Sequence, residues 1–167
     1  MAASQQADPE QGTSNAEVLT RFYEAFARKD PQAMAACYAA DVHFGDPVFP
    51  DLKGAQVGRM WRMLAGGGKD LQLTFRDVQA DATTGSAHWE ATYTFSKTGR
   101  RVHNVIEASF RFRNGLIMEH RDRFSFYRWA RQALGPTGVL LGWTPLVKAR
   151  VRKEAAARLA AFRDGRA

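Results

Sequence analysis

Cysteine is all but missing. Cys37 stands alone among 167 residues, so no internal disulfide can staple the chain and the core has to be held by packing. Its neighbours Ala35, Ala36 and Tyr38 suit a small apolar group better than a nucleophile. Long apolar runs are lacking too. The longest, residues 138–147, is interrupted by Gly142 and Pro145 and reaches about half the ~20 residues that a spanning helix requires. Residues 1–15 contain Pro9 and Gly12 and have neither the basic start nor the apolar stretch of an export signal. We expect them to be a disordered leader, and the protein to be cytoplasmic. The four histidines show no HxH or HxxxH spacing, and the chain has no phosphate-binding glycine loop, nucleophile elbow or dinucleotide fingerprint. Residues 66–68, all glycine, read as a helix stop. Neither a metal nor a cofactor is expected.

Acidic residues are scarce in one place only. Residues 127–167 hold nine Lys or Arg against two Asp or Glu, a net of +7, which leaves the rest of the chain neutral. A partner attracted by charge would find this tail.

What is present divides into three parts. After the leader, residues 16–126 begin with helical spacing of Val18, Leu19, Phe22 and Phe26, ended by Lys29, Asp30 and Pro31. A second helix is expected over 31–40, a short strand over 42–44 and a third helix over 55–65. Residues 71–78, 87–96, 101–112 and 116–126 are rich in β-branched and aromatic residues and are separated by turn chemistry. Three helices followed by an antiparallel meander make an α+β fold, with a curved sheet wrapped around the helices and a cavity between the layers. Residues 127–167 form a basic helical extension, with a final helix from Pro145 to about Phe162. That helix permits three uses: capping the pocket, pairing subunits or lying on an acidic surface. Packing against its own body is the expectation.

Within the body, polar residues on strands can be sorted by face. Met118, His120, Asp122 and Phe124 share one face of the last strand. An Asp between His120 and Phe124 points to a semi-polar cavity, which makes Asp122 the leading catalytic candidate. On the strand over 87–96, His88, Glu90, Thr92 and Thr94 oppose Trp89, Tyr93 and Phe95. We expect the polar face to line the pocket, so that His88 and Glu90 join Asp122, one carboxyl acting as acid and the other as base. Asn104 can orient a water or a substrate. Asp46, held between Gly45 and Pro47 where a helical segment gives way to an extended one, reads either as turn punctuation or as a second carboxylate at the rim. Phe22, Trp61, Phe110 and Phe124 would shape an apolar chamber, with His120 also among the ligand-contacting residues.

The opening FYEAFARKDPQAMAACYAADVHFGDPVFPDLKG and the closing FRFRNGLIMEHRDRFSF resemble the nuclear transport factor 2-like superfamily, in its SnoaL-like and ketosteroid isomerase-like branch. The resemblance implies a cone-shaped α+β barrel over residues 16–126. Asp46, in its Asp-Pro-Val setting, resembles the general base of ketosteroid isomerase. That enzyme's tyrosine and protonated-acid donors would fall on Phe22 and Ala108, so its oxyanion hole does not carry over. GLIMEHRDRF resembles the strand of limonene epoxide hydrolase that supplies a carboxylate, and Asp122 is the matching position. Through a longer hairpin, His88 and Glu90 would match that enzyme's Arg and Asp pair. SnoaL-type cyclases likewise use an Asp on the last strand, again selecting Asp122. The resemblance implies an enzyme without a cofactor acting on an apolar metabolite, or a binding module with the same chamber. It also implies a homodimer through the outer sheet face, where Trp89, Tyr93 and Phe95 would sit. An adaptor for nucleic acid or a membrane surface through the basic tail ranks last, because the tail lacks aromatic interleaving.

Overall fold

The computed structural model describes residues 9–163. Its body opens with α1 (Pro9–Ala27), which buries Val18, Leu19, Phe22, Ala25 and Phe26 on one side. Residues 9–15 are helical rather than disordered, because Asn15 is fully buried and its Nδ2 donates to the carbonyls of Asp81 and Ala82 at 2.9 and 3.1 Å. The remainder of the expected leader lies outside the described residues.

Lys29, at φ 57°, turns the chain, and Asp30 caps α2 (Pro31–Ala35) by accepting from the Ala33 amide. This helix is shorter than its composition suggests. Residues from Tyr38 onward pair as β1 (Tyr38–Gly45), followed by β2 (Leu52–Lys53) and α3 (Ala55–Gly67). Then come β3 (Gln72–Ala80), β4 (Thr84–Phe95), β5 (Arg100–Arg113) and β6 (Leu116–Arg123). Asn114 and Gly115, at φ 53° and 74°, make the tight turn between β5 and β6.

The six strands form one curved sheet in the order β2-β1-β6-β5-β4-β3. It is mixed, not wholly antiparallel: β1 runs parallel to β6 and so brings Phe44 beside His120. The inner face packs on α1 and α3 around Phe22, Tyr23, Trp61, Trp89 and Phe110.

The extension continues as α4 (Phe126–Leu134), α5 (Pro136–Leu141) and α6 (Pro145–Ala161). Ser125 caps α4, and Phe126, Trp129, Ala130 and Ala133 form a second core with Val102 of β5. Helix α6 returns over the open end of the sheet. Its Leu159 is buried in the main core, Glu154 pairs with Lys97, and Arg152 Nε donates to the Pro47 carbonyl at 2.9 Å. The expectation that this helix packs against its own body holds.

Candidate active site

A cavity of about 900 Å³ lies between the inner sheet face, α3 and the extension. Phe44, Phe49, Trp61, Trp89, Tyr93 and Phe124 supply much of its wall, and Asp46, Asn104 and Asp122 are polar groups on it. Val147, Val151 and Ala155 of α6 close it from the far side.

Asp122 is only 5% exposed. Its Oδ1 accepts from Trp89 Nε1 at 3.2 Å and from His120 Nε2 at 3.0 Å. His120 is wholly buried, its ring tilted against Phe110 at 4.4 Å, with Tyr38 Oη 2.8 Å from its Nδ1. Trp61 Nε1, which can only donate, bonds Tyr38 Oη at 2.9 Å. With His120 as the Nε2–H tautomer, the protons run in one direction: Trp61 to Tyr38, Tyr38 to His120 Nδ1, and His120 Nε2–H to Asp122. Four residues from four elements orient one carboxylate.

Asp46 follows β1 in a tight turn. Its Oδ1 accepts from the amides of Val48 and Phe49 at 2.7 and 2.5 Å, and its own amide donates to the Phe49 carbonyl at 2.9 Å. Gly45 makes this possible, since a Cβ there would run into the Arg121 guanidinium and come within 2.7 Å of the Pro50 carbonyl. Although Asp46 keeps some exposure to the cavity, protein surrounds it at longer range. Desolvation lifts its carboxyl to about 7, the two amides oppose the rise, the charge of Asp122 adds to it, and Arg152 opposes it weakly.

Tyr93 is a polar group that the sequence does not mark as catalytic. It lines the cavity, and its oxygen accepts from Trp129 Nε1 at 2.9 Å. Among the described residues its own proton has no acceptor, so it is free to serve a ligand. Burial pushes its hydroxyl pKa up, and the nearby charge of Asp46 raises it further. Trp129 belongs to the extension, so α4 completes the polar site. The alternation on β4 already placed Tyr93 opposite His88; what hid its role was the choice of face.

The structure turns β4 the other way from the expected one. Trp89, Ala91, Tyr93 and Phe95 face the cavity. His88 and Glu90 lie on the outer face, where His88 Nδ1 meets Glu107 at 2.5 Å, His88 Nε2 meets Glu90 at 3.0 Å, and His103 Nε2 meets Glu90 at 2.6 Å. They do not approach Asp122. The same reversal withdraws Trp89, Tyr93 and Phe95 from the outer surface where subunit pairing was expected. Trp61, Asn104 and Phe124 line the cavity as expected. Phe22, Phe110 and His120 sit one layer behind it, packed on one another at 4.4 to 5.6 Å where His120 meets the two phenyl rings. Among the described residues no group of His, Cys, Asp and Glu is arranged to hold a metal ion.

The SnoaL-like domain model matches residues 19–120. No curated protein matches the chain by sequence. Among solved structures, the fold is similar to a candidate polyketide cyclase from Xanthomonas campestris, at 21% identity, 74% of this chain, 98% of that one and a TM-score of 0.62. It is also similar to an LEH-like epoxide hydrolase from M. tuberculosis, at 20% identity, 83% and 98% coverage and a TM-score of 0.60. A protein with a ketosteroid isomerase-like fold from Catenulispora acidiphila, in complex with trimethylamine, aligns at 17% identity, 77% and 98% coverage and a TM-score of 0.62. At these identities the likeness is one of fold.

Proposed function

We propose that this chain, which belongs to the SnoaL-like domain family, is an acid–base enzyme that needs no cofactor and moves a proton beside the carbonyl of an apolar small molecule. One observation carries the reading: a carboxyl lifted to about 7 lines the same apolar cavity as a second carboxylate and a hydroxyl with a proton to give. A base in that range is part-ionised at neutral pH and strong enough to act.

The chemistry follows from the free atoms. Asp46 Oδ1 is held by two amides, which leaves Oδ2 to take the proton from the carbon next to the carbonyl. The electron pair of the broken C–H bond moves onto the carbonyl oxygen, and Tyr93 Oη–H donates to that oxygen as its charge grows. Asp46 then returns the proton to carbon or oxygen, or the enolate carbon attacks a second carbonyl and closes a ring as the new alkoxide takes the proton from Asp46. Asp122, fixed by His120 and Trp89, adds its charge to the burial that raises the Asp46 carboxyl. The aromatic wall excludes water and selects for flat apolar ligands.

The test is deuterium uptake at the α-carbon of a panel of cyclic ketones and β-diketones in D2O, followed by NMR. Asp46→Asn should slow uptake by roughly 10²–10⁴-fold, and Tyr93→Phe by about 10–10³-fold. A panel member that binds in the cavity with no exchange above buffer would leave the chain a binding module. Exchange that survives Asp46→Asn would remove Asp46 as the base.

A further inference from the structure

The extension carries a surface that the cavity chemistry does not use. Leu140 is 70% exposed, Trp143 70% and Leu146 82%, and all three fall in the elbow joining α5 to α6. The indole Nε1 of Trp143 donates to the Leu140 carbonyl at 3.0 Å, so its polar atom is satisfied and the ring presents carbon. The elbow is held firmly. Gly138 of α5 packs so closely on the Ala130 carbonyl of α4 that no Cβ could be added there.

Beside this apolar crest runs an open groove lined by Arg100, Arg101, Arg128, Arg131, Gln132 and Val139, with no acidic side chain in its wall. Among the described residues Arg100, Arg128 and Arg131 make no ion pair. Val139 is common to both features, since it lines the groove and is itself exposed. Cations packed against exposed carbon match a surface that is anionic at its face and apolar just beneath.

We infer that the α4–α5–α6 elbow docks on an anionic lipid surface, with Leu140, Trp143 and Leu146 entering the acyl boundary and the arginine groove taking phosphate headgroups. A second copy of the chain fits poorly, because pairing would bring two arginine clusters together. Nucleic acid fits poorly as well, since Leu140 and Leu146 offer aliphatic carbon where bases and phosphates need stacking or charge. The docked face adjoins the cavity: Thr137, Leu141 and Val147 of the same elbow line its wall. An apolar ligand dissolved in the lipid would meet the protein on the side where the extension closes the chamber.

The experiment is flotation of the full chain with vesicles of phosphatidylglycerol and phosphatidylcholine, and with phosphatidylcholine alone. Binding is expected to the anionic vesicles only, and to fall at least tenfold between low salt and 0.5 M salt, on the order expected of charge-driven contact. Trp143→Ser with Leu146→Ser, both solvent-exposed positions, should cut it by about tenfold or more while the circular dichroism is unchanged. Arg128→Gln with Arg131→Gln should do the same, and stands as the test if the first pair disturbs folding. Absence of binding to anionic vesicles, equal binding to the neutral ones, or binding indifferent to both variant pairs would overturn the inference. So would a dimer in sedimentation velocity that the Trp143 and Leu146 substitutions dissolve, or tighter binding to duplex DNA than to the vesicles.

Discussion

At the residue scale, Asp46 illustrates how two opposed effects leave a carboxyl poised. Two backbone amides favour its charge, but the low-dielectric surroundings disfavour it more strongly, and Asp122 adds repulsion. This has a consequence for stability with a definite sign. Between the ordinary carboxyl range and about 7, the folded chain holds a proton at Asp46 that the unfolded chain has released. Folding therefore weakens as pH rises through that window, by at most about 4 kcal/mol if the shift is realised in full. Asp46→Asn, which keeps an acceptor for both amides, should match the wild-type stability near pH 4 and exceed it at pH 8. Urea denaturation at the two pH values reads the difference, and a gap that does not grow with pH would contradict the shift. Tyr23 offers a second residue-scale case. Its hydroxyl is fully buried with no partner among the described residues, and burial pushes its pKa well above the usual tyrosine value. Removing an unpaired buried hydroxyl relieves its desolvation cost, so Tyr23→Phe should raise stability by about 1 kcal/mol. A clear loss on chemical denaturation would show that the hydroxyl has a use.

At the element scale, β4 decides the chemistry because its two faces carry different groups. The outer face builds a ladder in which Glu107, His88, Glu90 and His103 alternate acid and base across two strands. Hydrogen bonds that His88 donates to Glu90 and then to Glu107 raise its pKa, against a smaller cost from burial. A raised histidine contributes stability that is complete below about pH 6.5 and is lost as pH rises through the folded-state value. His88→Gln should therefore destabilise the protein more at pH 6 than at pH 9. Thermal melts across that range would show the gap narrowing; a constant gap would mean the ladder acts by packing alone.

The same strand shows what the sequence could and could not convey. Period-two alternation separated His88 and Glu90 from Trp89 and Tyr93 correctly, but alternation is symmetric and does not say which face turns inward. That was settled by partners distant in sequence: α1 brings Tyr23 and Phe26 against Trp89, and α4 brings Trp129 against Tyr93 and Phe95. Asp122 was legible as a cavity residue because one face of the last strand offers a polar pair amid apolar residues, whereas its partner His120 packs one layer behind the wall. Tyr38 falls within the helix that composition predicts over 31–40, and only the parallel pairing of β1 with β6 sets its hydroxyl on His120.

At the scale of the whole molecule, the site is closed by a part of the chain that lies beyond the SnoaL-like match. The match ends at residue 120, yet Trp129 orients Tyr93, Arg152 holds the Pro47 carbonyl beside Asp46, and α6 walls off the cavity. The fold class, the three helices before the meander and the C-terminal helix were readable from periodicity and turn chemistry, whereas β2 and α5 were not. The closure was not, because it depends on where α6 lands after two short helices. The carboxyl of Asp46 reports this closure directly, since desolvation is the largest cause of its shift. The most direct measurement is therefore the ¹³C titration of aspartate carboxyls in the full chain, with Asp46 assigned by its loss in Asp46→Asn. A midpoint at about 7 is the expected result. A midpoint near 4, the value of a solvated aspartate, would mean that the chamber is open to water and that Asp46 is not a base.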